Sequence, residues 1–338
     1  MNALHQKGEI IRDRYQILTL LGQGSMGDTY AAIDLEDSRQ VAIKVVSFRQ
    51  VRDWKVLELF EREAKILANL DHPAIPKYLD YFHFDTSEDR RFYLIRELIE
   101  GNSLAIQVAA GWHPDEKEVK EIAREILQVL SYLHNIIPPV IHRDIKPENI
   151  IRRPDGKVFL VDFGGVQEVY RMTLSLSGTF VGTLGYMPPE QFRGQAQFAS
   201  DLYGLGATVL YLLARCSPES LPQKRMKIDF RSSVDISTNF ANWLEKMLEP
   251  AIEDRFQSAN DALETLVRNR SVALRYEKPE YSRISIEKNL HYFIALIPQR
   301  PFRIHTVLVY IISLLLTVAT VSFSFLYIFM FLTICISP

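Results

Sequence analysis

His142-Arg143-Asp144-Ile145-Lys146-Pro147-Glu148-Asn149 and, downstream, Asp162-Phe163-Gly164 gather two aspartates, a lysine and an asparagine into one short region of the chain. The spacing suits phosphoryl transfer. Asp144 is a candidate acceptor of a substrate proton. Asn149 and Asp162 are candidate metal ligands.

Upstream lie two further runs with a bearing on phosphate chemistry. Gly22-Gln23-Gly24-Ser25-Met26-Gly27 falls between two expected strands, Tyr15–Leu21 and Thr29–Leu35. Glycines let backbone amides approach phosphate oxygens closely. Taken alone, this run is a plain glycine hairpin, and the strand that follows it argues against a dinucleotide site, which needs a helix there. Val41-Ala42-Ile43-Lys44 is the second run, a strand (Gln40–Ser47) ending its apolar core in a lysine. A lysine on a rigid strand can face nucleotide phosphates. Taken alone, it is a surface lysine like most. The helix expected over Asp53–Leu70, with Val56, Leu59, Phe60, Ala64 and Leu67 at helical spacing, offers it a partner. Glu58, Glu61 and Glu63 compete for that role. Glu63 is preferred because Phe60 and Leu67 put it beside the inward edge.

Strands at Tyr78–Phe84 and Arg91–Leu98 complete a sheet-rich first hundred residues. After Gly101 the pattern becomes helical. Pro114 is expected in a first helical turn, ahead of the stripe Val119, Ile122, Ile126, Val129, Leu130 and Leu133. Ala199–Ala214 and Phe240–Leu248 follow, and Ser258 with Asp261 caps a last helix to about Val267. The change near Gly101 predicts two lobes, with a ligand cleft between them.

Taken jointly and in order, these motifs resemble the eukaryotic-type (Hanks-type) serine/threonine protein kinases, in the bacterial form with a C-terminal membrane anchor. The resemblance runs from about Tyr15 to Val267. It implies an α+β, bilobal fold: an antiparallel N-lobe sheet with one helix, then a mainly helical C-lobe. It implies that Asp144 accepts the proton of a protein Ser or Thr hydroxyl and that Lys146 steadies the transferred phosphoryl group. Lys44, oriented by Glu63, would contact the α- and β-phosphates, and Asn149 and Asp162 would hold magnesium, with manganese as an alternative metal. ATP would lie against Leu21, Gly22, Gln23, Gly24, Ser25, Met26, Gly27, Thr29, Ala42, Lys44 and Ile151, its base edge bonded by backbone groups of Glu97 and Ile99. Met187-Pro188-Pro189-Glu190 stands where the family has Ala-Pro-Glu, so Glu190 would pair with Arg255. Asp201 would brace the catalytic loop and Thr183 would line the acceptor pocket. Arg143 beside Asp144 implies activation by a phosphate on the segment Gly165–Met187, which offers Thr173, Ser175, Ser177 and Thr179.

Three positions depart from the family pattern. Thr29 replaces a valine of similar shape, and Pro188 replaces an alanine. Arg96 stands at the gate to the back of the adenine pocket, where an apolar or small residue is common. A charge there must find a partner or reach solvent. Retention of Lys44, Asp144, Asn149 and Asp162 favours an active enzyme over a pseudokinase acting as a nucleotide-binding scaffold. Lys146, Thr183 and the Pro-Pro-Glu end favour a protein acceptor over a small-molecule one.

The rest of the chain bounds the setting. Its 338 residues are 47% apolar and 24% charged, with a net charge of -2, so no basic face for nucleic acid is expected. Two cysteines, Cys216 and Cys335, exclude a disulfide framework. Residues 1–14 are a lead without the apolar core of a signal peptide. The kinase-like domain takes 15–268 (lobes 15–100 and 101–268) and a basic linker 269–304. From Ile304 to Pro338 the chain carries no Asp, Glu, Lys or Arg, and 305–336 reads as a single membrane span. Arg270, Arg275, Lys278, Arg283, Lys288, Arg300 and Arg303 precede it and predict a cytoplasmic N-terminal part, with the lipid bilayer and protein substrates as partners. The sequence leaves the oligomeric state open.

Overall fold

The computed structural model describes residues 3–24, 27–49, 55–86, 89–168, 182–224 and 226–268. The N-terminal lobe is a six-stranded antiparallel sheet ordered β1-β2-β3-β4-β6-β5. Its strands are β1 (Ile10–Ile11), β2 (Tyr15–Gly24), β3 (Gly27–Asp34), β4 (Gln40–Ser47), β5 (Tyr78–Asp85) and β6 (Arg90–Glu97). One helix, α1 (Lys55–Leu67), accompanies it. The C-terminal lobe carries α2 (Leu104–Ala109), α3 (Glu116–Asn135), α4 (Pro189–Phe192), α5 (Phe198–Ala214), α6 (Thr238–Met247) and α7 (Ala259–Val267). The expected α+β division between the lobes is therefore present.

Strand β4 is buried from Val41 to Ser47. Side chains alternate across a strand, so Val41, Ile43 and Val45 enter one cluster with Ile17, Tyr30, Tyr93 and Ile95. Val46 turns to the opposite cluster, with Phe60, Leu67 and Leu94. Lys44 shares that second face and is thereby aimed inward at α1. Residues ahead of Tyr15 belong to this lobe as well. Strand β1 pairs with β2, the Leu4 amide donates to Asp28 Oδ2 at 3.1 Å and the His5 amide to the Tyr30 hydroxyl at 3.1 Å.

In the C-terminal lobe, α3 begins with a reciprocal cap. The Glu118 amide donates to Asp115 Oδ1 at 2.8 Å, and the Asp115 amide donates to Glu118 Oε2 at 3.2 Å. Pro114 therefore lies ahead of the cap and not in the first turn, because the Asp115 carboxylate does the capping. Helix α5 is buried nearly all round, the mark of a central core helix. Its Gly204 permits close contact with the loop before it: an added Cβ would lie 3.0 Å from the Ile145 carbonyl oxygen. Ser258 caps α7 by accepting from the Asp261 amide at 3.1 Å.

Short strands β7 (Asn102–Ser103), β8 (Val140–Ile141), β9 (Ile150–Arg152), β10 (Val158–Leu160) and β11 (Gln167–Glu168) frame the loops that follow. The 3-stranded sheet β10-β9-β7 and the pair β11-β8 hold the 142–149 loop from both ends. Among the described residues no helix is long and apolar enough to cross a membrane. The span expected at 305–336 and the linker 269–304 lie outside the described residues, as do Ser25, Met26, Thr173, Ser175, Ser177 and Thr179.

Candidate active site

The loop between β8 and β9 is held by a buried carboxylate. Asp201, near the start of α5, accepts from the backbone amides of His142 at 2.9 Å and Arg143 at 2.7 Å, and faces His134 Nε2 at 3.0 Å. These bonds hold Arg143 at φ 67, a left-handed backbone that a bulky residue adopts only under such constraint. Ile145 and Phe163 are buried below the loop, and the His142 ring meets Phe163 edge-on at 4.9 Å.

On this support Asp144 is fixed from several directions. Its Oδ1 accepts the Thr183 hydroxyl at 3.0 Å, and its Oδ2 lies 2.9 Å from Lys146 Nζ. Lys146 Nζ also donates to Thr183 Oγ1 at 2.8 Å. Asn149 Nδ2 donates to the Asp144 carbonyl and to its Oδ2, both at 2.9 Å. With its amide nitrogen so engaged, Asn149 has its side-chain carbonyl oxygen left to offer a metal.

Across the cleft, Lys44 Nζ donates to Glu63 Oε2 at 2.8 Å and to Asp162 Oδ1 at 2.7 Å. Glu58 and Glu61, the competitors for the lysine, pair instead along the helix surface with Arg62 and Lys65. Burial opposes the Lys44 charge, but Asp162 and Glu63 outweigh it and hold the ammonium protonated. Burial likewise opposes ionisation of Asp162. Lys44 and, behind it, Arg96 overcome that cost and keep the carboxyl far below the usual range. Asp162 has a left-handed backbone, φ 62, and its Oδ1 also accepts the Gly164 amide at 3.3 Å. Its side chain is still 37% exposed toward the cleft, so a cation has access to it.

The donor set suits magnesium. Asp162 and Asn149 offer oxygen atoms, and the described residues form no group of three or more His, Cys, Asp or Glu. A magnesium held jointly by one or two protein oxygens and substrate phosphates needs no such cage.

The nucleotide-side residues converge in part. Gln23 pairs with Asp28 and Gly24 with Gly27 across the β2–β3 hairpin, and Gly27 stands at φ 109, where a Cβ would meet the Val45 carbonyl oxygen at 2.2 Å. Thr29 pairs with Lys44 across β3 and β4. Ala42 and Ile99 are buried, Ile151 is half-buried, and Leu21 is exposed. The Glu97 amide donates to the Lys77 carbonyl at 2.9 Å, so that donor is taken and the Glu97 carbonyl is what it can offer a base.

Arg255 is fully buried and grips Glu190 with two bonds, at 2.8 and 3.0 Å. Such a bidentate pair fixes orientation as well as charge. It anchors the end of the 182–190 segment, whose Thr183 reaches Asp144.

The chain matches the protein kinase domain family over residues 15–269. The chain belongs to the protein kinase family. Its similar relatives are bacterial. Serine/threonine-protein kinase B of Synechocystis is 38% identical over 273 residues, 76% of this chain and 46% of that protein. Serine/threonine-protein kinase PknA of Nostoc is 33% identical over 296 residues, 81% of this chain and 51% of that protein. Serine/threonine-protein kinase PrkC of Bacillus subtilis is 34% identical over 207 residues, 61% of this chain and 31% of that protein. This kinase-family chain thus spans about half the length of the first two relatives.

One feature of the kinase site escaped the sequence, and one flagged position is settled only by the fold. Arg62, on α1, lies close enough to Arg143 to act on its charge: burial and then Arg62 push the Arg143 guanidinium down to about 10. The two arginines are far apart in sequence, and only the fold brings them together. Arg96 was expected to find a partner or reach solvent. It is buried, and its Nη1 has no hydrogen-bond partner among the described residues.

Proposed function

We propose that this chain is a serine/threonine protein kinase that transfers the γ-phosphate of ATP to hydroxyls of protein substrates. The convergence of Lys44, Asp144, Asn149 and Asp162 in one cleft carries this reading. The same convergence argues against a scaffold that has lost its chemistry. Asp144 Oδ1 already accepts an O–H hydrogen bond, from Thr183, and an incoming Ser or Thr hydroxyl makes the same kind of bond. As that oxygen attacks the γ-phosphorus, the bond to the β,γ-bridging oxygen breaks, ADP leaves, and the hydroxyl proton passes to Asp144. Lys146, beside both groups, offsets negative charge as it builds. Lys44, held by Glu63, meets the phosphates from the other side. Asn149 and Asp162 would hold magnesium, which would supply positive charge to offset that of the phosphates. The test is incubation of the full chain with labelled ATP and magnesium, followed by mass-spectrometric mapping of phosphorylated sites. Absence of label from every protein acceptor offered, with ATP bound, sinks the reading.

Regulation by autophosphorylation belongs to the same proposal. Arg62 acts on the charge of Arg143, and a phosphate on the segment beyond Gly165 would offset both positive charges. Alanine at Thr173, Ser175, Ser177 and Thr179 together is expected to lower the rate about tenfold, since one charge-assisted contact contributes roughly 1.5–3 kcal/mol. An unchanged rate refutes the idea.

We also propose that residues 305–336 anchor the kinase at the cytoplasmic membrane face, on the strength of their uncharged apolar run and the basic residues before it. Deleting 305–336 is expected to move the protein from the membrane to the soluble fraction on ultracentrifugation. A truncated chain that still sediments with membranes contradicts the anchor.

A further inference from the structure

Arg96 lies on β6 opposite Ala42, while Leu94 lies opposite Lys44. Directly paired residues of antiparallel strands share a face. Arg96 therefore projects from the same face as Ala42 and Lys44, toward the rear of the cleft. Its exposure is 7%, and its Nη1 is buried without a partner among the described residues. Glu63 Oε1 is likewise buried without a partner among the described residues. Lys44 is engaged by one oxygen each of Glu63 and Asp162. The rear of the cleft thus contains two cations, Lys44 and Arg96, and two carboxylates, Glu63 and Asp162, and the four charges cancel. With an uncharged residue at position 96 the same group would carry a net charge of about -1.

A divalent cation feels that difference. An arginine keeps its charge under all ordinary conditions, and charges inside a cleft are screened less than surface ones. We propose that Arg96 is a positioning residue for metal loading: a resident cation that balances Glu63 and Asp162 in the empty cleft and weakens the hold of Asp162 on a divalent ion. The proposal rests on the kinase reading, which gives Asp162 and Asn149 to the metal. In it, the nucleotide's phosphates supply the negative charge that Arg96 cancels, so that metal arrives with nucleotide and not ahead of it.

The test is a titration of the full chain with Mn2+ in the absence of nucleotide, whose phosphates would themselves bind the ion, read by the loss of the free-ion electron paramagnetic resonance signal. Arg96→Met and Arg96→Gln remove the charge, Met being apolar and Gln polar, and Arg96→Lys keeps it. Both uncharged variants are expected to bind Mn2+ about tenfold more tightly, the scale for one unit charge acting on a divalent ion across roughly 10 Å of partly hydrated protein. Arg96→Lys is expected to stay within about twofold of the unmodified chain. Equal affinity in all four proteins overturns the proposal. So does a lysine variant that tightens as much as the methionine one, because packing and not charge would then be at work. Asp162→Asn serves as the reference and is expected to lose the Mn2+ site. If it keeps full affinity, the metal assignment itself fails, a result distinct from an Arg96 that has no effect.

Discussion

Asp144→Asn is expected to lower kcat for protein phosphorylation by about 10³-fold, the middle of the range for removing a general base, while ATP still binds. The substitution keeps the size of the side chain and one acceptor oxygen for the donors Asn149 and Thr183, and removes the negative charge that Lys146 faces at 2.9 Å. A structural role alone would predict loss of folding or of ATP affinity along with rate. Measuring kcat by label transfer and ATP affinity by calorimetry separates the two. Transfer at the unmodified rate would overturn the role assigned to Asp144.

Lys44→Met acts on both activity and stability. Glu63 is fully buried, and Lys44 is its hydrogen-bonded partner at 2.8 Å. Removing the ammonium leaves a carboxylate in the core without compensation, a loss on the order of 3–5 kcal/mol. Phosphate transfer is expected to fall below detection, and the midpoint of urea unfolding to drop markedly. The double variant Lys44→Met with Glu63→Gln should recover most of the stability and none of the activity. If Lys44→Met unfolds at the same urea concentration as the unmodified chain, Glu63 has found another partner and the pair is not the support described.

Much of this arrangement can be read from the residues, for physical reasons that differ by element. The span of β4, Gln40–Ser47, was legible because a strand buried on both faces reads as an unbroken apolar run with a single lysine. Glu63 was legible among three glutamates because helical spacing ties it to Phe60 and Leu67, both buried. Helix α1 ends at Leu67 and not at Leu70, because the next residues turn back, with Asn69 and Leu70 amides donating to the Ile66 and Leu67 carbonyls. Helix α6 starts at Thr238, ahead of its apolar residues, because the first apolar contact, Phe240, comes only after the first turn has begun.

Other features depend on long-range placement. Helix α2 and strands β7 to β11 are too short to leave a periodic signal. The place of Thr183 at the acceptor pocket was suggested by family resemblance, but its bond from Lys146 was not, and the influence of Arg62 on Arg143 was suggested by nothing in the local sequence. The Nη1 of Arg96, without a hydrogen-bond partner among the described residues, is the clearest case. The sequence marked the position as unusual, but burial decided that the charge stays inside.

The strap formed by residues ahead of Tyr15 bears on how the protein is handled. Leu4 is tied to Asp28, next to Gly27, and Gln23 Nε2 binds the same carboxylate at 3.2 Å from the other arm of the hairpin. His5 is buried beside Tyr30 and Tyr93. An expression fragment trimmed to start at Tyr15, where the family match begins, would strip this cover, bare two aromatic rings to water and untether the glycine hairpin. The practical cloning boundary lies at or before Leu4, and purification tags belong upstream of it with a spacer.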